Sequence, residues 1–273
     1  MIDRLIGAAL LVRIATSLVI AAVTILPLLH EGEVLHRAIL AALPFFLAAA
    51  GGFALNDFHD KDRDAINKPY RAIPSNRVSP HEAQRVGVTL ICLACVASFV
   101  ASRSPLELTL YLGAIAGVSA YNYLVKNFTL SKNVVTSIVS ALPIVFVVIG
   151  LHYPLIYLTV PVASLSFLLG REWLMDIRDM RGDALSGIKT LPLLIGPKKT
   201  ARLGFFLVAA SVIILLPLAV AVQTTWSVIL LGLITTSIAL LVALWYRRKG
   251  TYERGVVLGL WFPMGCGILI LIR

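Results

Sequence analysis

Long apolar stretches separated by short polar ones run the whole length of this chain. A transmembrane helix needs roughly 20 mostly apolar residues, within a range of about 17–25. Nine stretches are candidates, the first of them short: 14–29, 38–55, 83–101, 106–125, 134–151, 155–175, 203–222, 227–245 and 256–272. Ser79-Pro80-His81-Glu82 and Ser104-Pro105-Leu106-Glu107 each place an N-cap serine, a first-turn proline and a glutamate at N3, so each starts a helix with a capping box. Gly196-Pro197 breaks a loop and launches the seventh stretch. Pro44, Pro143, Pro161, Pro217 and Pro263 fall inside spans, where membrane helices tolerate them. The expected fold is all-α and integral to the membrane, with about nine transmembrane helices and residues 1–273 forming one domain.

Composition supports lipid as the solvent. The 273 residues are 59% hydrophobic and only 14% charged, with a mean hydropathy of +0.90. A soluble domain is about 25% charged. The net charge is +10. In a soluble protein that would suggest nucleic acid; here its placement matters more, and no nucleic-acid partner is expected. With the N-terminus in the cytoplasm, all but Arg37, Arg103 and Arg273 of the 24 Lys and Arg fall on the inner side or at inner helix ends. The two motif loops, 56–80 and 176–200, then face the cytoplasm and the C-terminus lies opposite. Arg13 interrupts the first apolar run and no small-residue cleavage site follows, so the chain opens with an amphipathic start and a first span, not a signal peptide. Cys92 and Cys95 form a CxxC inside an apolar run without zinc partners; they and Cys266 read as packing residues.

Acidic residues locate the chemistry. Of only 14, eight lie at the two loops: Asp57, Asp60, Asp62, Asp64, Glu172, Asp176, Asp179 and Asp183. Asp57, Asp60 and Asp64 stand at i, i+3 and i+7, and Asp176, Asp179 and Asp183 repeat the interval. On a helix this spacing puts three carboxylates on one face, where they repel one another unless a cation intervenes. Asn56 adjoins the first face; Asp62 points elsewhere as a solvated charge. Mg²⁺ commonly takes one or two carboxylates plus substrate phosphates, which makes a diphosphate the missing ligand. Lys68, Arg71, Arg77, Lys126, Lys132, Arg171, Arg178 and Lys189 supply phosphate-binding cations nearby in sequence.

At these residues the sequence resembles the UbiA superfamily of intramembrane prenyltransferases. Asn56-Asp57-Phe58-His59-Asp60-Lys61-Asp62-Arg63-Asp64 is similar to that family's NDxxDxxxD motif, and Asn67-Lys68-Pro69-Tyr70-Arg71 through Arg77 to its N-K-P-x-R-P-I-P-S-G-R run, with Ala72 and Asn76 in place of proline and glycine. Arg171-Glu172-Trp173 through Asp176, Asp179, Gly182-Asp183, Gly187 and Lys189-Thr190-Leu191-Pro192 resembles the second aspartate motif; Tyr121, Lys126 and Lys132-Asn133 match the loop between them. The resemblance implies nine helices around a cavity. It implies Mg²⁺ held by Asn56, Asp57, Asp60, Asp64, Asp176, Asp179 and Asp183, with Arg71, Lys126 and Lys189 gripping an isoprenyl diphosphate (C10–C20). Tyr121 is the aromatic best placed to face an allylic cation; Phe53, Tyr123, Phe167 and Trp173 read as packing or interface residues. The expected reaction transfers the prenyl group to a lipophilic acceptor. The N-K-P-Y-R and I-P-S-x-R-V-S run is most similar to the branch with archaeal ether-lipid synthases. A terpene cyclase without acceptor, and more distantly a cation transporter, are the competing expectations. A transporter would place charges near the midplane, and these spans are nearly free of acids.

Overall fold

The computed structural model describes residues 2–125, 130–222 and 225–247, and among these it is helical with no strand. In chain order the helices are α1 (Ile2–Leu11), α2 (Ile14–His30), α3 (Leu35–His59), α4 (Lys61–Asn67), α5 (Pro80–Ala101), α6 (Pro105–Ala120), α7 (Ser131–Gly150), α8 (Thr159–Leu185), α9 (Leu191–Ile195), α10 (Pro197–Val222) and α11 (Thr225–Arg247). A π-helical turn, Tyr121–Val125, extends α6, and a 3₁₀ turn, Leu155–Leu158, precedes α8. Eight of the nine apolar stretches thus fall on helices; 256–272 lies outside the described residues, as do Lys126, Pro263 and Cys266.

The described residues do not by themselves establish nine spans. Five segments among the described residues are long and apolar enough to cross a bilayer: Leu35–His59, Pro80–Ala101, Ser131–Gly150, Leu155–Leu185 and Pro197–Val222. The bent pair α1 and α2 adds a sixth if it crosses as one. Of the other two stretches, one runs from α6 on into the π turn, and the other lies on α11, where the shorter apolar helix among the described residues is Ile229–Val242.

Local chemistry explains the ends. Ser79 Oγ accepts from Glu82 N while Glu82 Oε2 accepts from Ser79 N, completing the capping box of α5. The second expected box is half formed. Ser104 accepts from Glu107 N, but Glu107 turns its carboxylate to Arg103 N. Between α1 and α2 the chain bends by 52° at Arg13, whose φ of 45° is left-handed, a conformation costly for a non-glycine residue.

The backbone forms two compact units, Met1–Phe146 with Arg181–Lys189, and Val147–Met180 with Thr190–Arg273. In the first, α3 is the spine. A Cβ at Gly51 would stand 2.9 Å from Gly87 O, so α3 and α5 meet backbone to backbone, as small residues allow in membrane helices. Phe45, Tyr111 and Phe146 join α3, α6 and α7 with ring centroids 5.0–5.5 Å apart, and the buried Tyr111 hydroxyl donates to Ala41 O at 2.9 Å. In the second, Phe167, Leu174, Phe205, Val208, Leu230, Ile234 and Ile238 form the core, and α8 approaches α10 closely where Gly170 meets Gly204. Outward faces are apolar: Val96, Phe99 and Val100 on α5, and Phe206, Ile213 and Val220 on α10, are all more than 60% exposed. In water that arrangement would be an aggregation surface; in lipid it is the solvated face. Hydroxyls inside the helices return to the carbonyl one turn back, as Ser98 does to Ala94 O and Ser137 to Asn133 O.

Candidate active site

The first motif sits where α3 gives way to α4. It is not one continuous helix: Asp60 ends α3 and precedes α4 with φ −102° and ψ 11°. The three carboxylates converge nonetheless. Asp57 is 1%, Asp60 5% and Asp64 1% exposed, and Asp62 is exposed to solvent. Charges this deep need partners.

Arginines provide them. Arg71 Nη1 donates to Asp57 Oδ1 at 3.0 Å and also to Asp64 Oδ2, so one guanidinium nitrogen bridges two carboxylates. Arg63 donates to Asp60 and stands 3.5 Å from Asp183 Oδ1, bridging a second pair. Burial disfavours the charge on Arg63, but Asp60 and Asp183 more than offset it, and its pKa lies above the ordinary arginine value; Tyr121, at the head of the π turn, also acts on it electrostatically. Arg13 Nη2 donates to Asn56 Oδ1 and Asp57 Oδ1 at 3.0 Å each, and its guanidinium lies 4.4 Å from the Phe53 ring centroid. Asn56 Nδ2 donates to Asp60 Oδ2 at 2.8 Å, and Lys68 Nζ is 3.7 Å from Asp64 Oδ1.

Of the expected residues in this compact unit, Asn56, Asp57, Asp60, Asp64, Lys68, Arg71 and Asp183 come together. Arg77 does not join them: it is exposed and donates to Ser75 Oγ. Lys132 is buried at the start of α7, and Lys189 is exposed in the loop after α8. In the other unit, Asp176 is 6% exposed on α8. Asp179 accepts from Arg178 at 2.7 and 3.1 Å, and Arg171 donates to Glu172 at 2.9 Å. Sequence reasoning missed two contributors. Arg63 was legible, since it stands three residues after Asp60 inside the motif. Arg13 had a fainter signal, a lone cation breaking an apolar run.

The donor set suits a hard cation. All candidate ligands are oxygens, and Asp57 Oδ2 and Asp64 Oδ1 are buried without a hydrogen bond. Among the described residues no three His, Cys, Asp or Glu side chains converge closely enough to hold a metal by themselves. Guanidinium groups stand between the carboxylates instead.

The class so defined is an all-helical membrane protein with a buried carboxylate–guanidinium network at a helix junction. Comparison with known proteins gives the family. The sequence pattern of the UbiA prenyltransferase family matches residues 10–262, and the chain belongs to that family. It is 33% identical over 226 residues to a digeranylgeranylglyceryl phosphate synthase of Methanopyrus kandleri, covering 80% of this chain and 79% of that one. With the synthase of Methanothrix thermoacetophila it shares 30% identity over 71% of this chain and 73% of the other. Among solved structures, a UbiA homologue of Archaeoglobus fulgidus bound to GPP and Mg²⁺ superposes with a TM-score of 0.73 at 15% identity, covering 98% of this chain and 100% of that one. A ligand-free UbiA homologue of Aeropyrum pernix K1 gives 0.74 at 19% identity, with 94% and 98% covered. These two show the shared fold.

Proposed function

We propose that this protein is a Mg²⁺-dependent prenyltransferase that ionises an isoprenyl diphosphate and passes the prenyl group to a lipophilic acceptor. The observation that carries the reading is the set of buried aspartates at the α3–α4 junction, each beside a guanidinium or ammonium group. Such a site is matched to a ligand bearing both a metal and phosphates. Each arginine can turn to a phosphate oxygen when a metal takes over its carboxylate. The family, the Mg²⁺ and GPP held by a structural neighbour, and the synthase activity named for the relatives all support it.

Asn56, Asp57, Asp60, Asp64 and Asp183 would hold the metal, with Asp176 and Asp179 of the second motif as further ligands. When bound, Mg²⁺ supplies Lewis-acid neutralisation of the leaving group, worth several kcal/mol. Arg71, Lys68, Lys132, Lys126, Arg171 and Lys189 bind the diphosphate and neutralise the charge that grows on it as the carbon–oxygen bond breaks. Tyr121 turns its ring toward the allylic cation, a contact worth up to about 2 kcal/mol when desolvated. Apolar helix walls exclude water from that cation. The acceptor is a lipid-soluble nucleophile, and the relatives' names point to a glycerol-phosphate lipid. The motif loops and N-terminus face the cytoplasm and the C-terminus faces away.

The test is a product assay. Purified protein with Mg²⁺ receives C10, C15 and C20 diphosphates, with and without a panel of acceptors that includes a prenylated glycerol phosphate, and products are read by mass spectrometry. A product that requires the acceptor is the expected result. A hydrocarbon or terpene alcohol formed without acceptor makes the protein a cyclase. Absence of diphosphate release under every condition refutes prenyl chemistry.

A further inference from the structure

Helix α4 does more than carry Asp64. Arg63 and Asn67 stand four residues apart on it and therefore share a face. Both meet the C-terminal turns of α8, at adjacent residues. Arg63 pairs with Asp183 at 3.5 Å, and Asn67 Oδ1 accepts from the backbone N–H of Gly182 at 3.0 Å. That hydrogen bond joins residues 115 positions apart in sequence and ties the end of the first motif directly to the second.

The contact leaves no room for a side chain. A Cβ at Gly182 would come 2.6 Å from Asn67 Cγ and 2.7 Å from its Oδ1, closer than any real Cβ stands. The φ of Gly182 is not left-handed, since the positive-φ glycines among the described residues are Gly32, Gly187 and Gly196. A Cβ at 182 would therefore force the Asn67 carboxamide to move, an effect of proximity and not of backbone conformation. The carboxamide that crowds it belongs to the residue immediately before Lys68. Asp183, one residue further along α8, is 2% exposed. A two-point bracket, one hydrogen bond to backbone and one ion pair to the next side chain, fixes both the rotation and the axial position of that turn.

We propose that Asn67 is a positioning residue: through Gly182 it sets where Asp183 meets the first motif, and thereby the metal-binding geometry. The inference rests on the proposed prenyl-diphosphate reading. It touches neither substrate nor reacting atoms and acts only through Asp183.

The experiment compares wild type, Asn67→Ala, Gly182→Ala and the double variant in the full-length chain reconstituted in lipid nanodiscs. Steady-state kcat and KM, the Mg²⁺ concentration for half-maximal activity, and the Tm are measured for each. Gly182→Ala is expected to lower kcat/KM by about 10–10²-fold, the scale of an ångström-sized misplacement, and to raise the Mg²⁺ requirement about tenfold. Asn67→Ala loses one hydrogen bond and falls by about fivefold. The double variant should match Asn67→Ala within about twofold, because alanine at 67 removes the three atoms nearest to a Cβ at 182. Recovery of Tm and Mg²⁺ requirement in the double variant separates displacement of Asp183 from failure to fold. Gly182→Ala within about twofold of wild type, or single effects that simply multiply in the double variant, overturns the inference alone. A wild-type chain that makes no product in the same assay refutes the prenyl-transfer reading, and this inference with it.

Discussion

The two aspartate motifs repeat one spacing, yet their ion pairs differ in reach. In the first, partners from far along the chain, Arg13 crossing 44 positions to Asp57 and Arg71 crossing 14 to the same oxygen, join the local pairs Arg63–Asp60 and Lys68–Asp64. In the second, the hydrogen-bonded pairs Arg178–Asp179 and Arg171–Glu172 are between sequence neighbours, and Asp179 is 15% exposed where Asp57 is 1%. Asp183 stands apart from both patterns, held by Arg63 of the first motif. Long-range pairs are made by packing and report a rigid, pre-organised set of charges. Pairs between neighbours need only the helix itself to bring them together. The first motif is therefore tied together by packing across the sequence, and Asp179 of the second is the more exposed carboxylate.

Replacing the shared element has the largest effect. Asp60→Ala and Asp179→Ala should each lower turnover by about 10³-fold or more, the loss expected when metal assistance of several kcal/mol disappears. The protein should still insert and elute as wild type. Near-normal activity in Asp179→Ala alone would confine the chemistry to the first motif. Chelation is next: EDTA should stop turnover and added Mg²⁺ restore it, and turnover indifferent to both would exclude a metal at either motif.

The contrast in partners is sharpened by two arginines. Arg13→Ala leaves Asp57 with one donor fewer and should lower kcat/KM by about 10–100-fold, as loss of a group that orients a metal ligand does. Arg13→Lys should recover little, since one ammonium cannot serve Asn56, Asp57 and the face of Phe53 together. Arg178→Ala should cost less than about threefold, within the reach of a partly exposed pair. Equal losses in Arg13→Ala and Arg178→Ala would erase the distinction between the motifs.

Smallest of all is the surface pair Glu33–Arg103 at 2.8 Å, remote in sequence from both motifs. The hydrogen bond from Arg103 holds the Glu33 carboxyl below its ordinary pKa. A lowered folded-state pKa contributes stability above the unfolded value and loses it as pH falls through the folded one. Arg103→Ala should therefore leave activity unchanged, and any shift in Tm at neutral pH should vanish in acid.

Much of the site was legible before the fold. Spacing picked out Asp57, Asp60, Asp64 and Asp183 because carboxylates are scarce here and an i, i+3, i+7 interval is unusual by chance. Lys68 and Arg71 followed as the nearest cations, and both lie at the cluster. The same reasoning over-reached at Arg77, which is near in sequence but bonds to Ser75 on the surface. It assumed a continuous helix through the first motif, whereas the chain breaks at Asp60 and convergence is achieved by the turn into α4.

What the sequence determined by itself is what is written along the chain: the lipid-facing class, the helical stretches, the duplicated aspartate interval and the family those residues mark. Hydrophobic periodicity and motif spacing are local, so they survive without knowledge of the fold. Tertiary structure alone decided which cation answers which carboxylate. It chose Arg13 for Asp57, Arg63 for Asp183 and Asn67 for the backbone of Gly182. Each choice joins residues tens of positions apart, and such pairings are fixed by how helices pack against one another, which no single stretch of sequence records.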